Sequence, residues 1–141
     1  MRTPALSLLI LLLSACQSVT EPGNAALELQ TEGAEFVIAS AEGSVTVPFT
    51  VTNHGPASVW IARCGDRLMA ALDRREGGKW VQYSGDGCLM NTLTGPVELG
   101  AGEVLQGARG VVDPGQYRLR IGVSDAGQTG WDRASNGFIV R

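Results

Sequence analysis

The stretch SVTVPFTVT, Ser44 to Thr52, alternates hydrophobic side chains with hydroxyl-bearing or cyclic ones along its whole length. In an extended chain successive side chains point to opposite faces, so Val45, Val47, Phe49 and Val51 share one side. That is the pattern of a strand in an antiparallel sheet with one face on a core and the other in water. Proline has no N–H to give to a ladder, so Pro48 is expected to confine the pairing of this strand to an edge or a bulge.

The same period continues downstream. Asn53-His54-Gly55-Pro56 is a turn by residue chemistry, and Ala57 to Arg63 reads as the next strand. Arg67 to Arg74 puts Leu68, Ala70 and Leu72 on one side, Glu76-Gly77-Gly78 turns, and Lys79 to Tyr83 returns as a hairpin. Over Arg67 to Glu76 the positions of Leu68, Met69, Ala71 and Leu72 also suit a helix, so that segment stays open between strand and helix. Val97 and Leu99 form a short strand before Gly100-Ala101-Gly102, and Val104 to Val112 follows with Gly107 and Gly110 as expected bulges. Tyr117, Leu119, Ile121 and Val123 supply another inward face, and Phe138 to Val140 is the last strand. Turn signals every 8 to 12 residues or so predict an all-β antiparallel sandwich.

Asp113-Pro114-Gly115-Gln116-Tyr117-Arg118-Leu119 resembles the D-x-G-x-Y-x-C pattern that begins strand F of immunoglobulin-like domains. The resemblance implies an immunoglobulin-like antiparallel β-sandwich whose Tyr117 folds back on the backbone as a tyrosine corner. Leu119 stands where antibody domains carry their second cysteine, so the usual inter-sheet disulfide is not expected. From Val45 to Val123 the order of TVTNHGPASVWI, a G-x-W hairpin strand, a Pro-Gly turn and GQYRLRI is also similar to proteinase-inhibitor domains of the BsuPI type. The cysteines and the N-terminal segment depart from that intracellular family.

Arg2 and the apolar block ALSLLILLL, Ala5 to Leu13, have the make-up of a secretory signal peptide. Nine helical residues reach roughly half of a hydrocarbon core about 30 Å thick and cannot span it. Leu13-Ser14-Ala15-Cys16 then resembles the lipobox of bacterial lipoproteins. That resemblance implies that Cys16 becomes the first mature residue, alkylated on its thiol by a diacylglyceryl group and acylated on its new amino group. Several acyl chains exceed what stable membrane anchoring requires. Residue 17 is Gln rather than the Asp that retains such proteins at the inner membrane, which implies the outer membrane. The expected organisation is residues 1–15 as signal peptide, 16–26 as lipidated cysteine and Pro-Gly-containing tether, and 27–141 as the sandwich.

Without residues 1–15 the chain holds ten basic and fourteen acidic side chains, a net charge of −4. Arg74-Arg75 is the only adjacent basic pair, so nucleic acid is not an expected partner. With Cys16 acylated, Cys64 and Cys88 remain as an even pair in an oxidising compartment, and a disulfide between them is expected. Met69, Met90 and His54 could be thought of as metal ligands beside those cysteines. One histidine cannot complete a His₂Cys copper set, nor easily a tetrahedral zinc site, so no metal is expected.

No G-x-S-x-G elbow accompanies His54, and Asp66, Asp73 and Asp86 flank the predicted hairpin without a spacing that makes any two converge. No enzyme activity and no cofactor are expected. Binding is the better class. Ser124 to Asn136 reads as a long polar loop that contains Trp131, either a lid over the core or an exposed anchor. Trp60 and Trp80 lie in strands and read as core or sheet-face packing. Trp131 and Arg133 are therefore the candidate contacts of a protein-interaction module whose partner is another envelope protein. A carbohydrate- or small-ligand-binding lipoprotein, using an aromatic platform, and a purely structural lipoprotein are the alternatives. Thiol titration of the unreduced, denatured protein is expected to find neither Cys64 nor Cys88 free; two titrating thiols would contradict the pairing.

Overall fold

The computed structural model describes residues 26–39, 43–85, 88, 94–126 and 129–141. All regular structure among them is strand, arranged as an immunoglobulin-like sandwich of two main sheets. No helix among the described residues is long and apolar enough to cross a membrane.

The smaller sheet is built on β3 (Val45–Asn53), which has β1 (Leu27–Thr31) on one side and β10 (Val104–Val111) on the other. β1 is additional to the strands expected above, although LELQT alternates and buries Leu27, Leu29 and Thr31. Pro48 does not put β3 at an edge. The Pro48 carbonyl accepts from the N–H of Glu32, so the nitrogen of Pro48 faces the β1 side, one residue beyond the end of β1. A missing donor there costs the sheet nothing, and the pairing with β10 runs through Pro48↔Ala108 unbroken.

That unbroken register, Val104↔Thr52 to Val111↔Val45, also means that neither Gly107 nor Gly110 is a bulge. Gly107 has a packing reason instead. It sits opposite Phe49, and a Cβ at 107 would lie 2.3 Å from Cζ of the fully buried Phe49 ring.

The larger sheet is organised by β11 (Gly115–Ser124). Along one edge run β12 (Gly130–Ala134) and β13 (Phe138–Val140), and along the other β7 (Ala71–Glu76) and β4 (Val59–Ile61). β8 (Lys79–Ser84) extends the sheet from β7, β9 (Val97–Leu99) from β4, and β2 (Glu35–Phe36) pairs parallel to β13. The β7–β8 hairpin turns on Gly77 and Gly78, whose φ angles of 54° and 81° suit glycine and few other residues.

Three expectations are corrected here. Ile61 faces Val123 and Ala71 faces Arg120, so ten residues on one edge answer three on β11. The surplus projects as an ear made of β5 (Arg63–Cys64) and β6 (Arg67–Leu68), closed where the N–H of Met69 donates to the Ala62 carbonyl at 2.9 Å. Arg67 to Arg74 is thus two strands rather than one. Nor is Arg67 to Glu76 a helix, because β7 draws ladder bonds from β11 and β8 together. Ser124 to Asn136, finally, is a hairpin rather than a loop: β12 pairs with Arg120 to Ser124, and the Asp125 carboxylate accepts the Thr129 N–H at 2.9 Å. The expected Cys64–Cys88 disulfide ties the ear to the segment after β8, with 5.7 Å between Cα atoms. A closed loop of 24 residues stabilises the fold by roughly 3 to 4 kcal/mol on the chain-entropy account.

Between the sheets lie Leu27, Val47, Phe49 and Val51 from one side and Ile61, Leu72, Tyr117, Leu119, Ile121 and Phe138 from the other. Tyr117 is fully buried, stacks on Phe138 at 6.0 Å, and donates its hydroxyl to the Asp113 carbonyl at 3.1 Å. This is the tyrosine corner that the sequence resemblance implies. Asn53 closes one end of the sandwich by donating to the carbonyls of Ala57 and Leu99, while Asn136 binds Thr31 at the other.

Replacing Gly107 by alanine is expected to cost about 1 to 3 kcal/mol in urea unfolding, as overpacking does. Gly110, where a Cβ meets nothing within 4 Å, should tolerate alanine within about 0.5 kcal/mol.

Candidate functional site

Strand alternation along β11 turns Tyr117, Leu119, Ile121 and Val123 inward and leaves Arg118, Arg120, Gly122 and Ser124 on the outer face. Register then decides what meets them there. Arg118 faces Asp73, Gly122 faces Asp132, and Ser124 faces Trp60 on one side and Gly130 on the other. Side chains distant in sequence are thereby gathered on one surface.

The lower part of this surface is charged and closed. Asp73 is only 3% exposed although it points outward, because two guanidinium groups cover it. Arg118 Nε lies 3.0 Å from its Oδ2 and Arg120 Nε 3.2 Å from its Oδ1. Arg120 also reaches Asp132 at 2.7 Å and Gln82 at 3.0 Å, and the Asp132 contact above all holds it still more firmly protonated. Arg118 lies over the Trp80 ring at 5.0 Å, with Arg75 at 5.7 Å, so Trp80 packs on the sheet face as expected.

The upper part is open. Trp60, half-buried, and Pro96 form one wall of a recess of about 430 Å³; Gly122 and Gly130 lie along it, and Asp132 stands at its far end. A second recess of about 270 Å³ adjoins it through Ala62, Gly122 and Asp132 and runs on to Gln82 and Arg120. The two form one trough across the outer face, apolar at Trp60 and polar at Asp132.

Trp131 and Arg133, the candidate contacts from the sequence, lie two residues apart on β12, opposite Val123 and Ile121. They therefore share the core-facing side, and both are half-buried. Trp131 packs against the core and lines both the 430 Å³ recess and a cleft of about 170 Å³ at the sandwich end, with its indole Nε1 buried and given no hydrogen-bond acceptor. Of its two readings, the lid describes this position.

The other singled-out residues do not join the trough. His54 is exposed, its Nε2 2.8 Å from the Glu28 carboxylate. Asp66 is exposed, and Asp86, Met90 and Cys16 lie outside the described residues. No three potential metal ligands of the His, Cys, Asp and Glu type converge among the described residues. The sequence reading missed the Asp73–Arg118–Arg120–Asp132 network and the trough, both of which depend on register. The two glycines at outward strand positions are the only signal that could have suggested the trough.

At the corner that begins β11, the Tyr83 hydroxyl donates to the Asp113 carboxylate, which pushes the Tyr83 pKa up to about 12. Burial raises Tyr117 as well. Both phenols bind their protons more tightly folded than unfolded, so the stabilisation is complete below about pH 10 and is lost as pH climbs through the folded values. Ultraviolet titration of phenolate should show both tyrosines ionising above the free value. Asp113→Ala should bring Tyr83 back toward about 10 and leave the backbone acceptor of Tyr117 in place; an unchanged profile would contradict the assignment.

No family model matches the chain, and no curated protein does. Among solved structures it is similar to the X-ray structure of Northeast Structural Genomics Consortium target SoR45, at 13% identity and TM-score 0.51 over 82% of this chain and 86% of that one. It also matches PapD-like domain 7 of human CEP192, at 10% identity and TM-score 0.44 over 99% and 94% of the two chains. The CARDB domain of PF1109 from Pyrococcus furiosus matches at 15% identity and TM-score 0.36 over 82% and 94%. The likeness to the first is one of fold alone.

Proposed function

We propose that this chain is a lipid-anchored, extracytoplasmic protein of the bacterial cell envelope, held at the outer membrane through Cys16, that works by binding rather than catalysis. Anchoring is supported by the Leu13-Ser14-Ala15-Cys16 motif behind an apolar block too short to span. Binding is supported by one observation above the rest: the trough between Trp60 and Asp132, an aromatic wall and a few polar groups around a cleared strand surface. An envelope protein docking on Trp131 and Arg133 is the less favoured contact, since both side chains are half-buried on the core-facing side of β12.

The proposal places all membrane attachment in one residue. Cys16→Ala is expected to lose the acyl mass from the N-terminal peptide and to move the protein out of the outer-membrane fraction. Unchanged N-terminal mass and unchanged fractionation in that variant would overturn the anchor.

A further inference from the structure

We infer that the outer-face trough takes a neutral saccharide, its apolar ring face stacked on Trp60 and its hydroxyls turned toward Asp132 and Gln82. The inference rests on reading that face as the working surface of the protein. Three observations carry it.

The first is Gly122. A glycine inside a strand weakens it and usually marks a bulge, a special backbone conformation, or a close approach by something else. The register with β12 from Arg120↔Ala134 to Ser124↔Gly130 is unbroken at 122, while on the other edge, where the ear departs, the Ala62 N–H donates to the Gly122 carbonyl at 3.3 Å. The φ of Gly122 lies outside the left-handed range, and a Cβ there would meet nothing within 4 Å. Neither backbone nor packing within the chain requires glycine at this position; the same holds for Gly110, but only Gly122 lines the trough. Its neighbours across the trough, Ala62 and Gly130, are small as well. What they leave is room directly over the strands.

The second is the division of the trough into an apolar and a polar end. Trp60 and Pro96 offer an aromatic and an aliphatic surface, suited to the C–H face of a pyranose ring. At the other end the Asp132 carboxylate is more than half exposed, so it can accept hydroxyl hydrogen bonds while held by Arg120. The exposed Gln82 side chain, its Oε1 taken by Arg120, has amide N–H groups to donate.

The third is charge. Arg118 and Arg120 are matched by Asp73 and Asp132, so the network sums to no net charge. An anionic ligand finds its guanidinium partners already engaged, and the open carboxylate, Asp132, has its charge balanced by Arg120. An uncharged polar ligand fits. The space, a recess of about 430 Å³ and the adjoining one of about 270 Å³, is on the scale of a bound small molecule rather than of a protein interface.

The test uses the full lipidated protein in a detergent without a sugar headgroup. Chitotetraose, cellotetraose and maltotetraose serve as neutral probes and a heparin tetrasaccharide as the anionic one, with binding read by calorimetry and tryptophan fluorescence. At least one neutral tetrasaccharide should bind saturably and the heparin fragment should not. Trp60→Ala should weaken that binding about tenfold, as loss of a stacking contact does. Gly122→Val should abolish it while the thermal midpoint stays at or above that of the parent, since valine suits an open strand position. No binding of any neutral probe, or binding indifferent to both substitutions, would overturn the inference. A photoreactive residue at Ser124 in living cells separates the two levels. Without saccharide binding, a protein captured there and lost on adding Gly122→Val overturns the saccharide and keeps this face as the working surface; no capture overturns both.

Discussion

Among the described residues the larger sheet and the centre of the core are set by β11, a strand paired on both edges and obliged to alternate. Its inward residues, Tyr117 to Val123, form the centre of the core, and its outward residues meet Asp73, Asp132 and Trp60. A slip of one residue would drive Arg118 and Arg120 into the core and turn Tyr117 out to water, so the register is strongly specified. The tyrosine corner pins it at the start, where the Tyr117 hydroxyl is tied to Asp113 four residues before it.

The glycines of the chain separate by physical cause. Gly77 and Gly78 are required by positive φ in a two-residue hairpin turn, and Gly107 by the Phe49 ring that would collide with any Cβ. Gly110 and Gly122 answer to neither cause, and of the two only Gly122 lines the trough. That contrast distinguishes a surface cleared for something outside the chain from positions where glycine serves the fold. It also accounts for a charged network that is closed upon itself beside an aromatic wall that is not.

Alternation made the all-β class, the β3 and β11 faces and the Gly77-Gly78 hairpin legible without coordinates, because a two-residue period is a local property. The side on which Pro48 presents its missing donor was not legible, since it depends on where β1 ends. The ear was hidden for a similar reason: Arg67 and Leu68 run into the alternation of β7 in sequence, and only the register of β4 and β7 on β11 shows that they project. Ser124 to Asn136 read as a loop because its polar residues and glycines mask the pairing of β12. The trough draws on residues near positions 60, 96, 122 and 130, so its constituents were visible and their meeting was not. Trp60, read as packing, acquires its position only when Ser124 and Gly130 come to lie beside it.

The claim that the fold hangs on β11 is tested most directly by native-state amide hydrogen exchange, residue by residue. The account has the amides of Tyr117 to Val123 exchange only through global unfolding, with protection equal to or above that of Val47 to Val51 in β3. Exchange of the β11 amides through a local opening, at a free energy well below that of β3, would contradict it.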